Sequence, residues 1–246
     1  MHNSQQHYAT LASEFDQIWQ FSTDYEPWMV EQIQTHLALQ PHEHWVDFGA
    51  GTGRFSQAVH RYAQPASTLC VEPDAAMCAL AQQKAELMSM QACDQSFIQQ
   101  PLRYDALLVK EVIHHLSDRT AFWQGVKHQL SEKGRILLIT RPQETTLALF
   151  QQAKARFAQH QPAIELLCAE LHQAGFETQV SVIDFPLYQS KSHWYTMLRG
   201  KFMSDLAGFS DDEIEMGIAE VDKQYSGKWI KHADRLLFVV AHARAD

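Results

Sequence analysis

The feature that most constrains the fold is a regular alternation of strand-like and helix-like segments, which begins at Trp45. Seven short apolar segments are typical of buried strands: residues 45–48, 67–71, 90–93, 104–109, 135–140, 180–183 and 236–240. The segments between the first six are typical of helices, at residues 54–62, 74–88, 118–130, 145–158 and 162–173. Strands that alternate with helices pair in parallel, because the helix returns the chain to the same edge of the sheet. The sequence therefore predicts an α/β fold with a mainly parallel sheet.

Two further helical regions lie outside this alternation. Apolar residues at helical spacing predict one helix from Tyr8 to Trp19 and a second from Pro27 to Leu37, so residues 1–40 form an N-terminal helical lid. Residues 186–233 are too many for a structureless loop in a compact domain, and Ser210 with Glu213 has the spacing of a helix capping box. We expect one domain over residues 1–246, with its core sheet in 45–184 and 234–243 and a helical cap over 186–233.

The composition excludes several classes of protein. With 46% hydrophobic and 20% charged residues the chain is not intrinsically disordered, and it lacks the ~18 consecutive apolar residues of a membrane span. A formal net charge of −9 argues against nucleic-acid binding through overall charge. The polar start of the chain predicts no secretory signal. Four cysteines without a C-x-x-C pair predict no zinc site and a reduced, cytoplasmic protein.

Glycine is concentrated at one place in a chain that otherwise contains little of it. Three of the ten glycines, Gly49, Gly51 and Gly53, lie within five positions, between a predicted strand and a predicted helix. Glycines there permit a tight turn and let a ligand approach the backbone. A dinucleotide fingerprint needs its last glycine at position 54, which is Arg54. The pattern present is instead D-x-G-x-G-x-G, beginning at Asp47.

This pattern supports a family resemblance. Residues 46–56, VDFGAGTGRFS, resemble motif I of the class I S-adenosylmethionine-dependent methyltransferases, most closely the small-molecule branch often called type 11 or type 12. Three further segments match in register: Val71-Glu72-Pro73, Cys93-Asp94-Gln95 and residues 104–116, which end in His-His-Leu. The resemblance implies a Rossmann-like seven-stranded sheet with helices on both faces. It also implies S-adenosyl-L-methionine as cofactor and S-adenosyl-L-homocysteine as by-product.

The resemblance also implies which residues bind the cofactor. They are Asp47, Gly49, Ala50, Gly51, Gly53, Glu72, Pro73, Met77, Asp94, Gln95 and Lys110. In the family, the acid at the position of Glu72 holds both ribose hydroxyls. The acid at the position of Asp94 accepts a hydrogen bond from the adenine amino group. An apolar residue often packs on adenine, and Met77 would do so here. From the residues alone, a surface acid, an aspartate that caps a turn and a core methionine remain alternatives.

The positions of the polar residues are consistent with one shared site. Asp47, Glu72, Asp94, Lys110 and Arg141 lie at or just past the carboxyl ends of predicted strands. In open α/β sheets, ligands bind outside that edge.

His114 and His115 are the candidate catalytic residues, because histidine titrates near neutral pH. The alternative is that they cap a turn and shape the pocket. No metal is predicted: the H-x-H pair His42 and His44 has no further ligand nearby in the sequence.

The acceptor is predicted to be a small molecule. The fourth strand does not end in the [DNS]-P-P-[YF] turn of enzymes that methylate bases or amides, and neither a Pro-Cys nucleophile nor a double-glutamate loop is present. The family resemblance implies that the N-terminal helices and the cap lie over the cofactor edge, so that the cap is a substrate cap. The candidate substrate-binding residues in these two regions are Trp19, Tyr25, Tyr188, Trp194, Tyr195 and Arg199. Aromatic residues at helical spacing are also typical of a core.

Three basic residues, Lys191, Arg199 and Lys201, either attract an anionic acceptor or form a solvated face. Two other functions stay open at this stage. One is methylation of RNA or protein, which a basic patch near the cap would favour. The other is a cofactor-binding, non-catalytic partner subunit. We expect a small-molecule partner, with nucleic acid unfavoured and no membrane, and the sequence makes no prediction about oligomeric state.

Overall fold

The computed structural model describes residues 21–244 of the chain. Within this range the strands are β1 (His44–Phe48), β2 (Ser67–Val71), β3 (Met88–Met90), β4 (Tyr104–Lys110), β5 (Leu130–Thr140), β6 (Phe176–Ser190) and β7 (Trp229–Ala243). The helices are α1 (Tyr25–Leu37), α2 (Arg54–Ala63), α3 (Ala75–Gln82), α4 (Asp94–Phe97), α5 (Arg119–Gln129), α6 (Gln151–His160), α7 (Ile164–Gln173), α8 (Lys191–Arg199) and α9 (Asp211–Gln224). Two 3₁₀ turns cover Ile113–His115 and Ser204–Leu206.

The seven strands of this range form one sheet in the order β3-β2-β1-β4-β5-β7-β6. The first five strands along the chain pair in parallel, whereas β7 runs antiparallel to both β5 and β6. The predicted α/β fold with a mainly parallel sheet is confirmed. The order changes direction next to β1, so the carboxyl ends of β1, β2 and β4 meet at a crevice, where α/β sheets bind ligands.

Helices cover both faces of the sheet, as predicted. Alternate residues of β4 enter different cores: Leu108 belongs to one buried cluster and Leu107 to the other. On β5, Leu137 and Ile136 divide in the same way. A strand that is buried on both faces needs a continuous apolar run, which is why these segments were recognisable in the sequence.

Several element boundaries differ from the prediction. Strand β5 begins at Leu130 rather than at position 135, so Gly134 lies inside the strand and does not end α5. Helix α3 ends at Gln82 and β3 covers Met88–Met90, earlier than the expected strand at 90–93. Residues 145–150 are not helical, although Leu147 to Phe150 are fully buried. Their apolar pattern reflects packing of an irregular segment, which periodicity alone does not distinguish from a helix.

The predicted helical cap is shorter than residues 186–233. Strands β6 and β7 pair over fifteen positions, from Phe176–Ala243 to Ser190–Trp229. Both therefore extend into the expected cap, and its helices lie between Lys191 and Gln224. The predicted strands at 180–183 and 236–240 were short because β6 lies at the sheet edge and exposes polar residues that hide its pattern.

Three helix caps are present, among them the predicted capping box. Asp74 accepts from the Met77 amide at 2.9 Å, and Asp118 accepts from the Ala121 amide at 2.9 Å. Ser210 and Glu213 form the full reciprocal capping box. The helix expected at Pro27 begins at Tyr25, and the helix expected from Tyr8 to Trp19 lies outside the described residues. Among residues 21–244, no helix is both long and apolar enough to cross a membrane.

Candidate active site

The glycine motif forms the turn between β1 and α2. Gly49, Gly51 and Gly53 all have left-handed backbones, with φ of +76°, +57° and +73°, which side chains with a Cβ rarely adopt. A Cβ on Gly49 would lie 2.3 Å from Val112 Cγ1, so the chain passes close to the segment after β4. A Cβ on Gly51 would meet nothing within 4 Å. The Gly51 backbone therefore faces open space that a bound group can approach.

This open space belongs to a cavity of about 300 Å³ at the carboxyl ends of the strands. Nine of the predicted cofactor-binding residues line it: Asp47, Gly49, Ala50, Gly51, Glu72, Pro73, Met77, Asp94 and Lys110. Gly53 and Gln95 do not line it. Gly53 is instead the residue before α2, and Gln95 donates to Ser117 Oγ at 3.3 Å.

Glu72 lies at the end of β2 and is 9% exposed. Its Oε2 accepts from the Gly51 amide at 2.9 Å and its Oε1 from the Asp74 amide at 3.0 Å. Burial raises the pKa of Glu72 to about 7, even though both backbone hydrogen bonds act to lower it. The carboxyl group is thus fixed against the glycine turn and titrates in the physiological range.

Two aspartates complete this side of the cavity. Asp47 is buried, accepts from Ser56 Oγ at 2.5 Å, and has its pKa raised to about 6 by burial. Asp94 accepts from the amide and the hydroxyl of Ser117 at 2.8 and 2.6 Å. Burial alone would raise the pKa of Asp94, but these hydrogen bonds outweigh it and lower the pKa. Asp94 therefore stays ionised while it tethers the segment before α5.

The histidine pair lies in the 3₁₀ turn after β4, with ring centroids 4.0 Å apart, and both rings line the cavity. Burial lowers the pKa of His114 to about 3 and also lowers that of His115. His114 Nδ1 is buried and has no hydrogen-bond partner among the described residues. At neutral pH the pair is uncharged, so His114 offers a neutral ring nitrogen to a bound molecule.

A buried ion-pair network forms a wall that sequence reasoning did not find. Arg141 donates to Asp234 from Nε at 2.7 Å and from Nη2 at 2.9 Å, and it also pairs with Glu111. Tyr25 donates from its hydroxyl to Asp234 Oδ2 at 2.8 Å. Asp234 lies 93 positions from Arg141, at the first position of the segment expected to return to the core sheet, so no local signal connected the two. Position at a strand end was the one available signal, and it indicated only Arg141.

A second wall is formed by α6, by Gln161 directly after this helix, and by residues 203–205. Its lining residues are Phe157, Gln161, Met203, Ser204 and Asp205. Asp205 is 5% exposed, and its Oδ1 lies 2.6 Å from His160 Nδ1. The cavity therefore joins the glycine edge of the sheet to a second wall built from outside it.

The chain matches a known family over this part of the structure. Residues 46–136 match the model of a methyltransferase domain. This segment holds the glycine turn, the acids Asp47, Glu72 and Asp94, and the histidine pair. The matched segment forms a methyltransferase domain. A search of the curated proteins found no match.

Solved structures show the same methyltransferase fold at low sequence identity. A putative methyltransferase from an antibiotic biosynthesis pathway of Anabaena variabilis is 17% identical, with a TM-score of 0.64 over 85% of this chain and 95% of that one. The YcgJ protein of Bacillus subtilis is 16% identical, with a TM-score of 0.61 over 88% and 98%. Phosphoethanolamine N-methyltransferase 2 of Haemonchus contortus, in complex with S-adenosylhomocysteine, is 16% identical, with a TM-score of 0.57 over 87% and 51%.

The methyltransferase family uses S-adenosylmethionine, and the residues here fit that cofactor. The open side of Gly51 leaves room for a bound group beside the glycine turn, and Glu72 presents a carboxyl group next to that space. A carboxylate accepts from two neighbouring hydroxyl groups at once, as a ribose requires. Met77 is 2% exposed and lines the same part of the cavity, so it is both a core residue and a wall of the site.

Among the predicted substrate-binding residues of this methyltransferase, Tyr25 lines the cavity, and Trp19 lies outside the described residues. The other four do not line it. Trp194 is fully buried and donates to the Ala148 carbonyl at 2.8 Å. Tyr188 is exposed and stacks on Trp229 with centroids 4.7 Å apart.

Tyr195 and Arg199 lie on the outer side of α8. The Tyr195 hydroxyl donates to Asp222 at 2.7 Å, and Arg199 pairs with Glu215 at 2.5 Å. Both partners are on α9, so these two side chains hold α8 and α9 together. The two side chains that the resemblance suggested for a pocket therefore serve packing between two helices.

The basic cluster of the cap is offset by acids and does not line the cavity. Lys191 lies 2.6 Å from Asp222, and Lys201 lies 3.1 Å from Asp211. Arg199 is paired as described above. The charge that suggested an anionic acceptor is therefore balanced locally, away from the site. Among residues 21–244, no group of three or more metal-ligating side chains is placed to hold a metal ion.

Proposed function

We propose that this methyltransferase transfers a methyl group to an O, N or C atom of a small-molecule acceptor by in-line displacement. The observation that supports this most strongly is that one cavity joins the glycine turn and Glu72 to the wall at 157–161 and 203–205. Its volume of about 300 Å³ is in the range of small-ligand pockets. A cofactor and an acceptor could thus meet in one enclosed space.

When bound, S-adenosylmethionine supplies a methyl group activated by a sulfonium. The glycine turn and Glu72 would hold its adenosine, and the far wall would hold the acceptor. The chemistry that the cofactor would supply is transfer of that methyl group to the acceptor, in which the acceptor's electron pair would form the new bond to carbon and the electron pair of the broken carbon–sulfur bond would stay on sulfur. Where the acceptor atom carries a proton, His114 Nδ1 or water receives it. Alignment of the two reactants contributes most, because it removes several kcal/mol of entropic barrier.

Two further observations support a small acceptor. The Haemonchus contortus neighbour was solved with phosphomonomethylethanolamine as well as S-adenosylhomocysteine. The net charge of −9 and the locally balanced basic cluster argue against a polyanionic acceptor. We also propose a cytoplasmic location, which the four free thiols support.

Calorimetry with S-adenosylmethionine and S-adenosylhomocysteine tests the cofactor half of the proposal. We expect both to bind at one site per chain. Incubation with methyl-labelled S-adenosylmethionine and fractionated small metabolites, followed by mass spectrometry, tests the transfer half. Failure of both ligands to bind would overturn the proposal, and binding with label transfer only to RNA or protein would replace the small acceptor.

A further inference from the structure

Lys110 brings a positive charge to the cavity at the end of β4. It is the last residue of this strand, and it lines the cavity. Val109 of β4 pairs with Phe48 of β1, so the next residue, Lys110, lies beside Gly49 of the glycine turn. Side chains alternate along a strand, which puts Lys110 on the same face as Leu108, towards the core that α1 and α2 cover.

The ammonium group of Lys110 has an aromatic neighbour but no anionic partner. Its Nζ lies 4.3 Å from the centroid of the Phe55 ring, in the first turn of α2. In the part of the chain that the structure describes, this Nζ takes part in no hydrogen bond and no ion pair. A cation–π contact stabilises an ammonium group without neutralising its charge. Burial lowers the pKa of Lys110 to about 8, so the group stays mostly protonated at pH 7.

The acids that attract this lysine are engaged with other groups. The charges of Asp47 and Asp234 act to raise the pKa of Lys110, but neither carboxylate is in direct contact with its Nζ. Asp47 accepts from Ser56 Oγ at 2.5 Å, and Asp234 is held by Arg141 in a bidentate pair. The protein itself therefore leaves the ammonium group without a direct counter-ion.

The two arginines of the cavity, by contrast, each have a carboxylate partner from the protein. Arg141 pairs with Asp234 and with Glu111, and Arg54 pairs with Glu26 on α1. Buried charges in proteins are normally paired. The lysine is the cation of this wall that is suited to an anion supplied by a ligand.

The position of Lys110 relative to Glu72 indicates which anion this is. Glu72 follows β2 and Lys110 ends β4, and β1 with its glycine turn lies between them. Two strand spacings make about 10 Å. S-adenosylmethionine carries its ribose and its carboxylate on opposite sides of the sulfur. A molecule whose ribose meets Glu72 can therefore extend its carboxylate across the turn towards Lys110.

We propose that the Lys110 ammonium group binds the carboxylate of the methionine part of the cofactor, and that it selects S-adenosylmethionine over adenosyl sulfur compounds without this carboxylate. The inference rests on the proposed function and names the chemical group that this cofactor-binding position recognises. A hydrogen bond between two ionised groups is about twice as strong as a neutral one, so the carboxylate should add substantially to the affinity.

The test compares two ligands by calorimetry: S-adenosylhomocysteine and its decarboxylated analogue, which keeps the amino group and lacks only the carboxylate. We expect the unaltered protein to bind S-adenosylhomocysteine at least about tenfold more tightly, as a charged hydrogen bond predicts. Lys110→Met keeps an unbranched side chain beside Phe55 and removes the charge. This variant should bind S-adenosylhomocysteine about tenfold more weakly and the analogue with unchanged affinity.

Two further variants complete the comparison. Lys110→Arg keeps the positive charge and should retain the preference for S-adenosylhomocysteine, which a purely structural role of the lysine would not predict. Lys223→Met is the matched control, because Lys223 is an exposed lysine of α9 outside the cavity. Its affinities for both ligands should equal those of the unaltered protein. Should Lys110→Met fail to fold, the comparison of the two ligands on the unaltered protein still decides the proposal.

The outcomes separate this inference from the proposed function. If S-adenosylhomocysteine and the analogue bind the unaltered protein equally well, Lys110 does not bind the carboxylate, while the proposed function stands. Equal weakening of both ligands by Lys110→Met, or no weakening of either, would overturn the inference in the same way. If neither S-adenosylmethionine nor S-adenosylhomocysteine binds the unaltered protein, the proposed function fails first.

Discussion

Arg141 and Asp234 form a bidentate ion pair in the cavity wall, with Nε–Oδ1 and Nη2–Oδ2 distances of 2.7 and 2.9 Å. Arg141 is 2% exposed and Asp234 is fully buried. The pair joins the end of β5 to β7, and the Tyr25 hydroxyl connects it to α1. The ion pair and the Tyr25 hydrogen bond therefore connect this wall of the cavity to two strands of the sheet and to α1.

Removing the charge of Asp234 should destabilise the protein. Asp234→Asn leaves Arg141 with too few carboxylates in a dry environment, and breaking a buried pair costs about 3–5 kcal/mol of unfolding free energy. Because Glu111 remains, we expect about 3 kcal/mol, measured by urea denaturation. The control is Asp184→Asn, since Asp184 pairs at 2.8 Å with the neighbouring Arg235 on the surface. That pair is nearly half exposed and should contribute below about 1 kcal/mol. Equal losses for the two variants would contradict the role of burial.

Gly51→Ala should weaken cofactor binding more than it weakens the fold. The new methyl group would enter the open space beside the glycine turn, and the left-handed backbone adds about 1–2 kcal/mol of strain. Gly227→Ala is a matched control, because Gly227 also has a positive φ and open space but lies outside the cavity. Both variants should unfold at similarly lowered temperatures. Only Gly51→Ala should raise the Kd of S-adenosylhomocysteine, by about tenfold, and equal Kd values would refute the placement.

Affinity for S-adenosylhomocysteine should fall as the pH is lowered from 8 to 6. Glu72 has a pKa raised to about 7 by burial, so it is mostly ionised at pH 8 and mostly protonated at pH 6. If the ionised form accepts from the ribose hydroxyls, the affinity drops by up to about tenfold across this range. Calorimetry at both pH values measures the Kd of S-adenosylhomocysteine. Glu72→Gln should bind weakly with a flatter pH profile, and an unchanged profile in this variant would exclude Glu72 as the titrating group.

The same raised pKa affects folding in the opposite sense. Because the pKa of Glu72 is higher in the folded state than in the unfolded state, the protonated group favours the fold. The free energy of unfolding that Glu72 contributes is fully present below about pH 4 and is lost as the pH rises through about 7. The unliganded protein should therefore lose some stability between pH 5 and pH 8, and Glu72→Gln should reduce that loss. Thermal unfolding at several pH values provides the comparison.

His114→Asn should lower turnover and leave cofactor affinity unchanged. The ring is neutral because burial lowers its pKa to about 3, and its buried Nδ1 has no partner among residues 21–244. Loss of this ring nitrogen should reduce kcat by about tenfold, below the usual range of general-base effects, because a group whose pKa is lowered to about 3 is a weak base at neutral pH. His128→Asn, an exposed histidine on α5, is the control. Unchanged turnover in His114→Asn would remove this residue from the mechanism.

The residues on the glycine side of the cavity were largely predictable because their signals are local. Gly49, Gly51 and Gly53 are adjacent in sequence and adjacent in space, and their left-handed backbones explain why glycine is required. Glu72 and Asp94 follow apolar strands, and parallel strands bring their carboxyl ends to one edge. A short stretch of sequence therefore fixes both the residue type and its place in the sheet.

The second wall of the cavity was not predictable for the opposite reason. Trp194 and Tyr195 were candidates as aromatic residues of the expected cap, but the first is core and the second holds α9. Asp205 and Asp234 have no pattern around them that distinguishes them from other acids of an acidic chain. Each acquires its role from residues that lie far away in the sequence.

The sequence by itself determined the order of strands and helices, the glycine turn and the acids at the strand ends, because these depend on periodicity and on backbone conformation within a few residues. Only the tertiary structure decided which charges share the cavity. The pairing of Arg141 with Asp234 and the presence of Asp205 in the wall of the same cavity depend on contacts between distant segments. Burial then sets whether each charged group is paired with another or has its pKa shifted, and burial is a property of the packed fold.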